Sequence, residues 1–242
     1  MQSTSIRTYA RVAGVLFLLS MIGGYFGEMH VPSRIVVARD PAATAQNILE
    51  LNMMFRWGFA GYLLEAVCDI AISLVMYVIL RPAGRNLALL SVCFGLVSTS
   101  VFAVAQFFFF GSAMILAGSD YLKGFSPDQL NSLSFVWVRM YGLGAGLFMV
   151  FYGIATGVRG YLIYRSGYLP RFLGALLMLA GLGFITRNFV LVLAPAYISN
   201  LFLAPMFVAG ASLTLWMLVK GVDVAKWEAS AEKMDSRANH HP

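Results

Sequence analysis

Apolar residues in this chain fall in long runs separated by short polar segments. Six runs reach the ~20 residues that a helix needs to cross a bilayer: residues 11–29, 56–80, 86–117, 135–164, 172–194 and 198–219. The third and fourth are longer than a bilayer requires, so they are expected to tilt or to project beyond it. The pattern predicts an all-α polytopic membrane protein, a bundle of six transmembrane helices forming a single domain over residues 1–222. Residues 223–242 read as a polar cytoplasmic tail whose first half is helical.

The polar segments predict further elements. Asp40-Pro41 is a helix start, a capping side chain followed by proline at the first helical position. Residues 42–51 then read as a short surface helix after the first span, with Ile48, Leu49 and Leu51 as its apolar face. Such a helix lies on the outer membrane surface or caps the bundle. Ser126-Pro127-Asp128-Gln129 marks another helix start, ahead of the fourth span. Arg7 and Arg11 ahead of the apolar stretch from Val12 to Leu19 mimic a signal peptide. The following Gly27-Glu28-Met29-His30 offers no clear small-x-small cleavage site, so a retained first helix is expected.

Composition agrees with this picture. Of the 242 residues, 60% are apolar and 12% charged, against about 45–50% and 25% in ordinary soluble domains. That balance excludes a disordered protein and argues against a water-soluble one. A net charge of +6 would suggest a nucleic-acid partner in a soluble chain. Here there is no basic run of the kind nucleic-acid binders use, so no nucleic acid is expected and the lipid bilayer is the partner. The basic residues instead mark alternate loops. Arg7 and Arg11 precede the first span, and Arg81 and Arg85 join the second to the third. Arg159, Arg165 and Arg171 are assigned to the fourth-to-fifth region, and Lys220, Lys226, Lys233 and Arg237 to the C-terminal side. The positive-inside rule then puts both termini in the cytoplasm.

Two segments echo each other. Tyr77-Val78-Ile79-Leu80-Arg81 is followed by Arg85 and Leu87, and Tyr161-Leu162-Ile163-Tyr164-Arg165 by Arg171 and Leu173. Duplication of a two-helix unit explains this, and so does convergence of two inner loops on arginine.

The second of these segments opens a longer stretch, Gly160-Tyr-Leu-Ile-Tyr-Arg-Ser-Gly-Tyr-Leu-Pro-Arg-Phe-Leu-Gly-Ala-Leu-Leu-Met-Leu-Ala-Gly-Leu-Gly183. With Arg11-Val-Ala-Gly-Val-Leu-Phe-Leu-Leu19, Asp40-Pro-Ala-Ala-Thr-Ala-Gln-Asn-Ile-Leu49, Leu80-Arg-Pro-Ala-Gly-Arg-Asn-Leu-Ala-Leu-Leu90 and Leu215-Trp-Met-Leu-Val-Lys-Gly-Val222, it resembles an uncharacterised bacterial membrane family, domain of unknown function 4386. The resemblance covers about residues 7–222. It implies a multi-span protein of the bacterial inner (cytoplasmic) membrane and brings no activity with it.

Ionisable residues inside spans are the leads to chemistry, because each is costly in hydrocarbon. Glu65 and Asp69 are four apart in the second span and share one helix face. Two carboxylates so close in low dielectric resist ionising together. Counting from Arg56 puts Glu65 roughly 14 Å below the outer end, and counting back from Ala194 puts Arg187 about 10 Å below it. Those depths suit an ion pair between the second and fifth spans, with Arg139 as a rival partner. The candidate cluster is therefore Glu65, Asp69, Arg139 and Arg187. It reads as a structural ion-pair network, as an outward-facing polar cavity for a small ligand or ion, or as acid–base machinery acting on a lipid-like substrate.

The other polar residues weigh less. Gln106 and Asn188 are of the type that cross-bonds helices. Glu28 and His30 sit at the outer end of the first span. The chain has only three histidines, His30, His240 and His241, and two cysteines, Cys68 and Cys93, both read as buried small apolar side chains. Haem and zinc sites want more ligands than that, so no cofactor and no metal is expected. Gly142, Gly144, Gly146, Gly153 and Gly157 make the fourth span a candidate central helix. Phe107 to Phe110 reads as lipid-facing or packing surface. No phosphate-cradling loop and no nucleophile elbow is present in the sequence. The expected function is a small non-enzymatic membrane component, accessory or ligand-binding, with a polar cluster in its outer half. The alternative is a proton-coupled transporter or lipid-modifying enzyme using Glu65 and Asp69.

Overall fold

The computed structural model describes residues 3–239, with side chains described from 6 to 236. His240 and His241 lie outside the described residues. Among those described there is no strand. Six helical stretches are long and apolar enough to cross a membrane: Ile6–Ile35, Asn52–Ala83, Arg85–Leu116, Pro127–Ser166, Arg171–Leu193 and Asn200–Val219. The chain is thus an all-α, multi-pass membrane protein. Large side chains on every span face outward, among them Val67, Phe107, Leu182 and Val219, as a surface meant for lipid requires.

The first span is three segments end to end: α1 (Ser3–Gly24), a π-helical turn (Tyr25–His30) and α2 (Val31–Ile35). Next comes α3 (Pro41–Glu50), whose cap is the one its sequence announces. The Asp40 carboxylate accepts the Ala43 N–H at 2.9 Å. The buried face differs from the expected one. It is Thr44, Ala45 and Ile48, while Leu49 and Leu51 are exposed. Positions 44, 45 and 48 share a face at 3.6 residues per turn, whereas 49 lies at its edge and Leu51, the C-cap residue, lies past the last helical turn. Thr44 also ties the helix to the preceding loop, accepting the Val37 N–H at 3.0 Å.

The remaining helices are α4 (Asn52–Leu80), α5 (Arg85–Leu116), α6 (Pro127–Ser166), α7 (Arg171–Leu193), α8 (Ala204–Val219) and α9 (Val224–Asn239). Helix α6 has 40 residues and starts well before residue 135. The reason is a reciprocal cap: the Ser126 N–H donates to Gln129 Oε1 at 2.8 Å and the Gln129 N–H to Ser126 Oγ at 3.4 Å. The start signal and the apolar run behind it are one helix. The last span opens with a 3-10 turn, Asn200–Leu203, before α8.

The chain forms two compact units. Unit 1 holds the described parts of Met1–Leu18, Cys68–Thr99 and Met149–Pro242; unit 2 holds Leu19–Val67 and Ser100–Phe148. The core of unit 1 is aliphatic, with Ile6, Ile72, Met76, Ile79, Leu162, Ile163 and Leu173 buried. Its tail helix α9 docks through Trp227, whose indole N–H donates to the Ile79 carbonyl at 2.9 Å. The Tyr168 hydroxyl donates to the same oxygen at 2.8 Å. That carbonyl ends α4, and Pro82, three residues on, has no N–H to offer it. The core of unit 2 is aromatic. Phe102 and Phe148 have centroids 4.2 Å apart, Phe59 and Phe110 4.5 Å, Phe109 and Tyr141 4.7 Å, and Phe55 and Phe109 4.8 Å. Of the tetrad at 107–110, Phe109 is buried and Phe107 exposed.

Candidate functional site

The polar groups of unit 2 gather around Tyr141. Its hydroxyl lies near the Gln106 side chain, and the carboxylates of Glu28 and Glu65 are both close enough to act on it electrostatically. Four segments supply these residues. Glu28 comes from the π-helical turn, Glu65 from α4, Gln106 from α5 and Tyr141 from α6. A π turn inserts an extra residue into a helix and is frequent at functional sites. Here it carries Glu28 and also His30, which stacks on Phe26 at 5.6 Å. Gln106 is 1% exposed, and its amide nitrogen has no hydrogen-bond partner.

Glycines set the approach of the first span to α4. A Cβ on Gly23 would stand 2.6 Å from the Gly61 carbonyl oxygen, and one on Gly27 2.7 Å from that of Gly58. The two backbones therefore touch, as small residues allow. At Gly24 the close neighbour is a side chain: a Cβ there would lie 2.6 Å from Glu65 Oε1. The missing methyl is the space the carboxylate occupies.

Unit 1 holds a different polar centre. Arg159 is 6% exposed. It donates through Nη2 to Ser73 Oγ at 2.9 Å, and Ser73 in turn donates to the Asp69 carbonyl at 2.9 Å. The charge of Asp69 acts on the guanidinium, and the Tyr152 side chain is nearby. Gly95 on α5 makes room, since a Cβ there would meet Arg159 Nη2 and Ser73 Oγ, each at 2.9 Å.

Of the four residues expected to cluster, Glu65 and Arg139 fall in unit 2, and Asp69 and Arg187 in unit 1. Arg139 is exposed. Arg187 is half-buried, with Nη1 4.0 Å from Met149 Sδ and Nη2 3.4 Å from Asn200 Oδ1. Two participants escaped the sequence reading. Arg159, grouped by sequence with the basic residues of the fourth-to-fifth region, lies inside α6, more than a turn before Arg165, the basic residue in its last turn. Its flanks, Val158 and the apolar run 160–163, were the available signal. Glu28 had been placed at an interface, yet the Gly23–Gly27 spacing facing Gly58 and Gly61 marks a helix contact there. Asn188, expected to bond across helices, donates instead to the Phe184 carbonyl of its own helix at 2.8 Å. Cys68 is buried and Cys93 is exposed rather than buried, and both are free. No group of three His, Cys, Asp or Glu comes together among the described residues.

The profile of the family described as Domain of unknown function (DUF4386) matches residues 12–221. The chain belongs to the DUF4386 family. An uncharacterized protein of Archaeoglobus fulgidus is 26% identical to this DUF4386 chain over 129 residues, which is 53% of the chain and 64% of the relative. The chain therefore spans less than two thirds of that relative's length. No solved structure matches.

Proposed function

We propose that this DUF4386 protein is a non-enzymatic, ligand-binding membrane component, and that unit 2 binds a proton or a small monovalent cation. The observation that carries this reading is that Glu28 and Glu65, from two helical segments, both lie near enough to act electrostatically on one tyrosine of an aromatic core. Two carboxylates in a low-dielectric surround gain from anything that neutralises one of them. Oxygen atoms of Tyr141 and Gln106 are at hand as further ligands, and ring faces attract a cation in their own right. Asp69, with Arg159, serves unit 1 as an anchor between helices. The arginine-marked ends of the spans support a reading in which both termini are cytoplasmic and the membrane is an inner membrane.

The test is thermal unfolding of the purified protein at fixed pH and ionic strength. The probes are sodium, potassium and tetramethylammonium chlorides, with N-methylglucamine chloride as the reference. One probe should stabilise the protein, by about 2.7 kcal/mol at a hundred times its Kd. Glu28→Gln and Glu65→Gln should each abolish that response. If no probe shifts the wild type, and its proton uptake between pH 5 and 8 matches that of Glu65→Gln, the reading is wrong.

A further inference from the structure

The end of unit 1 where α1 begins and α8 finishes has a pocket of about 360 Å³. Its charged lining is Arg7, Arg11, Lys220 and Asp223. The pocket exists because α8 stops at Gly221, which has φ 68°. This left-handed residue donates its N–H to the Trp216 carbonyl at 2.8 Å and turns the chain back, as glycine does at helix ends. The turn brings the first residues of α9, Val224 and Ala225, into the wall.

The pocket is more cationic than its composition suggests. Asp223 is already engaged: its carboxylate accepts the Lys226 N–H at 3.3 Å and pairs with Lys226 Nζ at 3.1 Å. The hydrogen bonds from Lys226 hold that carboxyl below the usual carboxylate range. Arg7 and Arg11 are four apart on one face of α1, an arrangement that costs stability through repulsion. Both are exposed, and neither pairs with a described carboxylate. Lys220 is held in place over the Trp216 ring at 5.2 Å. Three cations thus stand around a cavity whose carboxylate, Asp223, is paired with Lys226 instead.

The surroundings say which anion. Below Arg11 the same face of α1 continues as Val15 and Leu18, 48% and 43% exposed. On α8, Val219 and Leu215 are 75% and 62% exposed. A basic pocket at the first turn of a span, opening onto bare apolar surface, sits at headgroup depth. We propose that this pocket binds the phosphate of an anionic phospholipid, whose acyl chains lie along Val15, Leu18 and Leu215. Arg7, Arg11 and Lys220 hold the phosphate oxygens as charge-assisted donors. The site is independent of the cation reading for unit 2.

The experiment is lipid titration of the purified full-length protein, read by native mass spectrometry. Phosphatidylglycerol should bind about tenfold more tightly than phosphatidylcholine, a 1.4 kcal/mol preference. Arg11→Gln and Lys220→Gln should each remove most of that preference. Lys233→Gln, which removes the same charge from an exposed site on α9, should keep it. Unchanged melting temperatures in phosphatidylcholine establish that the variants fold. Equal binding of the two lipids overturns the proposal, and so does a loss in Lys233→Gln as large as in Arg11→Gln. Inorganic phosphate that competes with phosphatidylglycerol at equal concentration assigns the pocket to a free anion and overturns the lipid assignment.

Discussion

Helix α4 supplies Glu65 to unit 2 and Asp69 to unit 1. One turn apart in sequence, the two acids live in different chemistry. Asp69 acts on a buried arginine that is hydrogen-bonded to Ser73 and set among aliphatic side chains. Glu65 shares its surround with a second acid, Glu28, a tyrosine hydroxyl and stacked rings. The first is a charge set balanced by its own protein. The second sets two acids near one phenol beside aromatic rings. Burial of an ionisable group is therefore not one signal. A compensated group points to architecture, and a pair of like charges points to something that comes and goes.

The sharpest way to break this comparison is to remove one charge from each side. Arg159→Met removes a buried cation and its hydrogen bond to Ser73 Oγ, and should cost about 1.5–3 kcal/mol, the range for a lost hydrogen bond to a charged group. Adding Asp69→Asn should recover part of the loss. Glu65→Gln should cost about 1 kcal/mol or less, since it keeps the side chain's shape and removes its charge. Denaturant unfolding in detergent reads all three. If Glu65→Gln proves the more damaging substitution, the assignment of architecture to unit 1 and ligand to unit 2 is reversed.

The contrast also explains what was legible from the residues alone. The six spans were, because ~20 apolar residues in a row have few other uses. Helix starts at Asp40 and Ser126 were, because caps are local chemistry. Glu65 was visible as an acid deep within an apolar run. Arg159 was not, because it falls inside the expected run 135–164 yet its spacing to Arg165 and Arg171 groups it with the arginines that close that span. Glu28 was hidden by the π turn, a change of winding that leaves composition untouched. The division of Glu65 from Asp69 between units was beyond reach, since shared face and shared surround are different properties.

Glycines offer a gentler probe, because one methyl group tests each unit without touching charge. Gly174→Ala places a Cβ 2.5 Å from the Tyr164 backbone nitrogen. Backbone cannot step aside, so unit 1 should lose about 1–3 kcal/mol, as overpacked sites do. Gly24→Ala instead meets the tip of a side chain, Glu65 Oε1 at 2.6 Å. That carboxylate can swing away, so stability should fall less while the cation response of unit 2 weakens. Paired melting curves with and without the stabilising probe separate the two effects. A cation response lost in Gly174→Ala and kept in Gly24→Ala would contradict the division of roles.

The smallest expected effect lies at the shared carbonyl of Ile79. Tyr168→Phe removes one of two hydrogen bonds to it and leaves that from Trp227, so the loss should be about 1 kcal/mol or a little under. Its pH dependence is more telling than its size. Burial pushes the Tyr168 phenol above the ordinary tyrosine range. Above roughly pH 10 the unfolded chain has released this proton while the folded chain still holds it. The unfolded state then binds fewer protons, so wild-type stability falls as pH rises. The phenylalanine variant lacks that slope, and the other tyrosines, common to both proteins, cancel in the difference. The advantage of wild type over Tyr168→Phe should be full at pH 8 and shrink steadily from pH 10 to pH 11. An advantage that stays constant across that range would mean that the tyrosine contributes packing rather than a held proton. The response of unit 2 to its cation should be the same in both proteins, because the Ile79 carbonyl belongs to the architecture of unit 1.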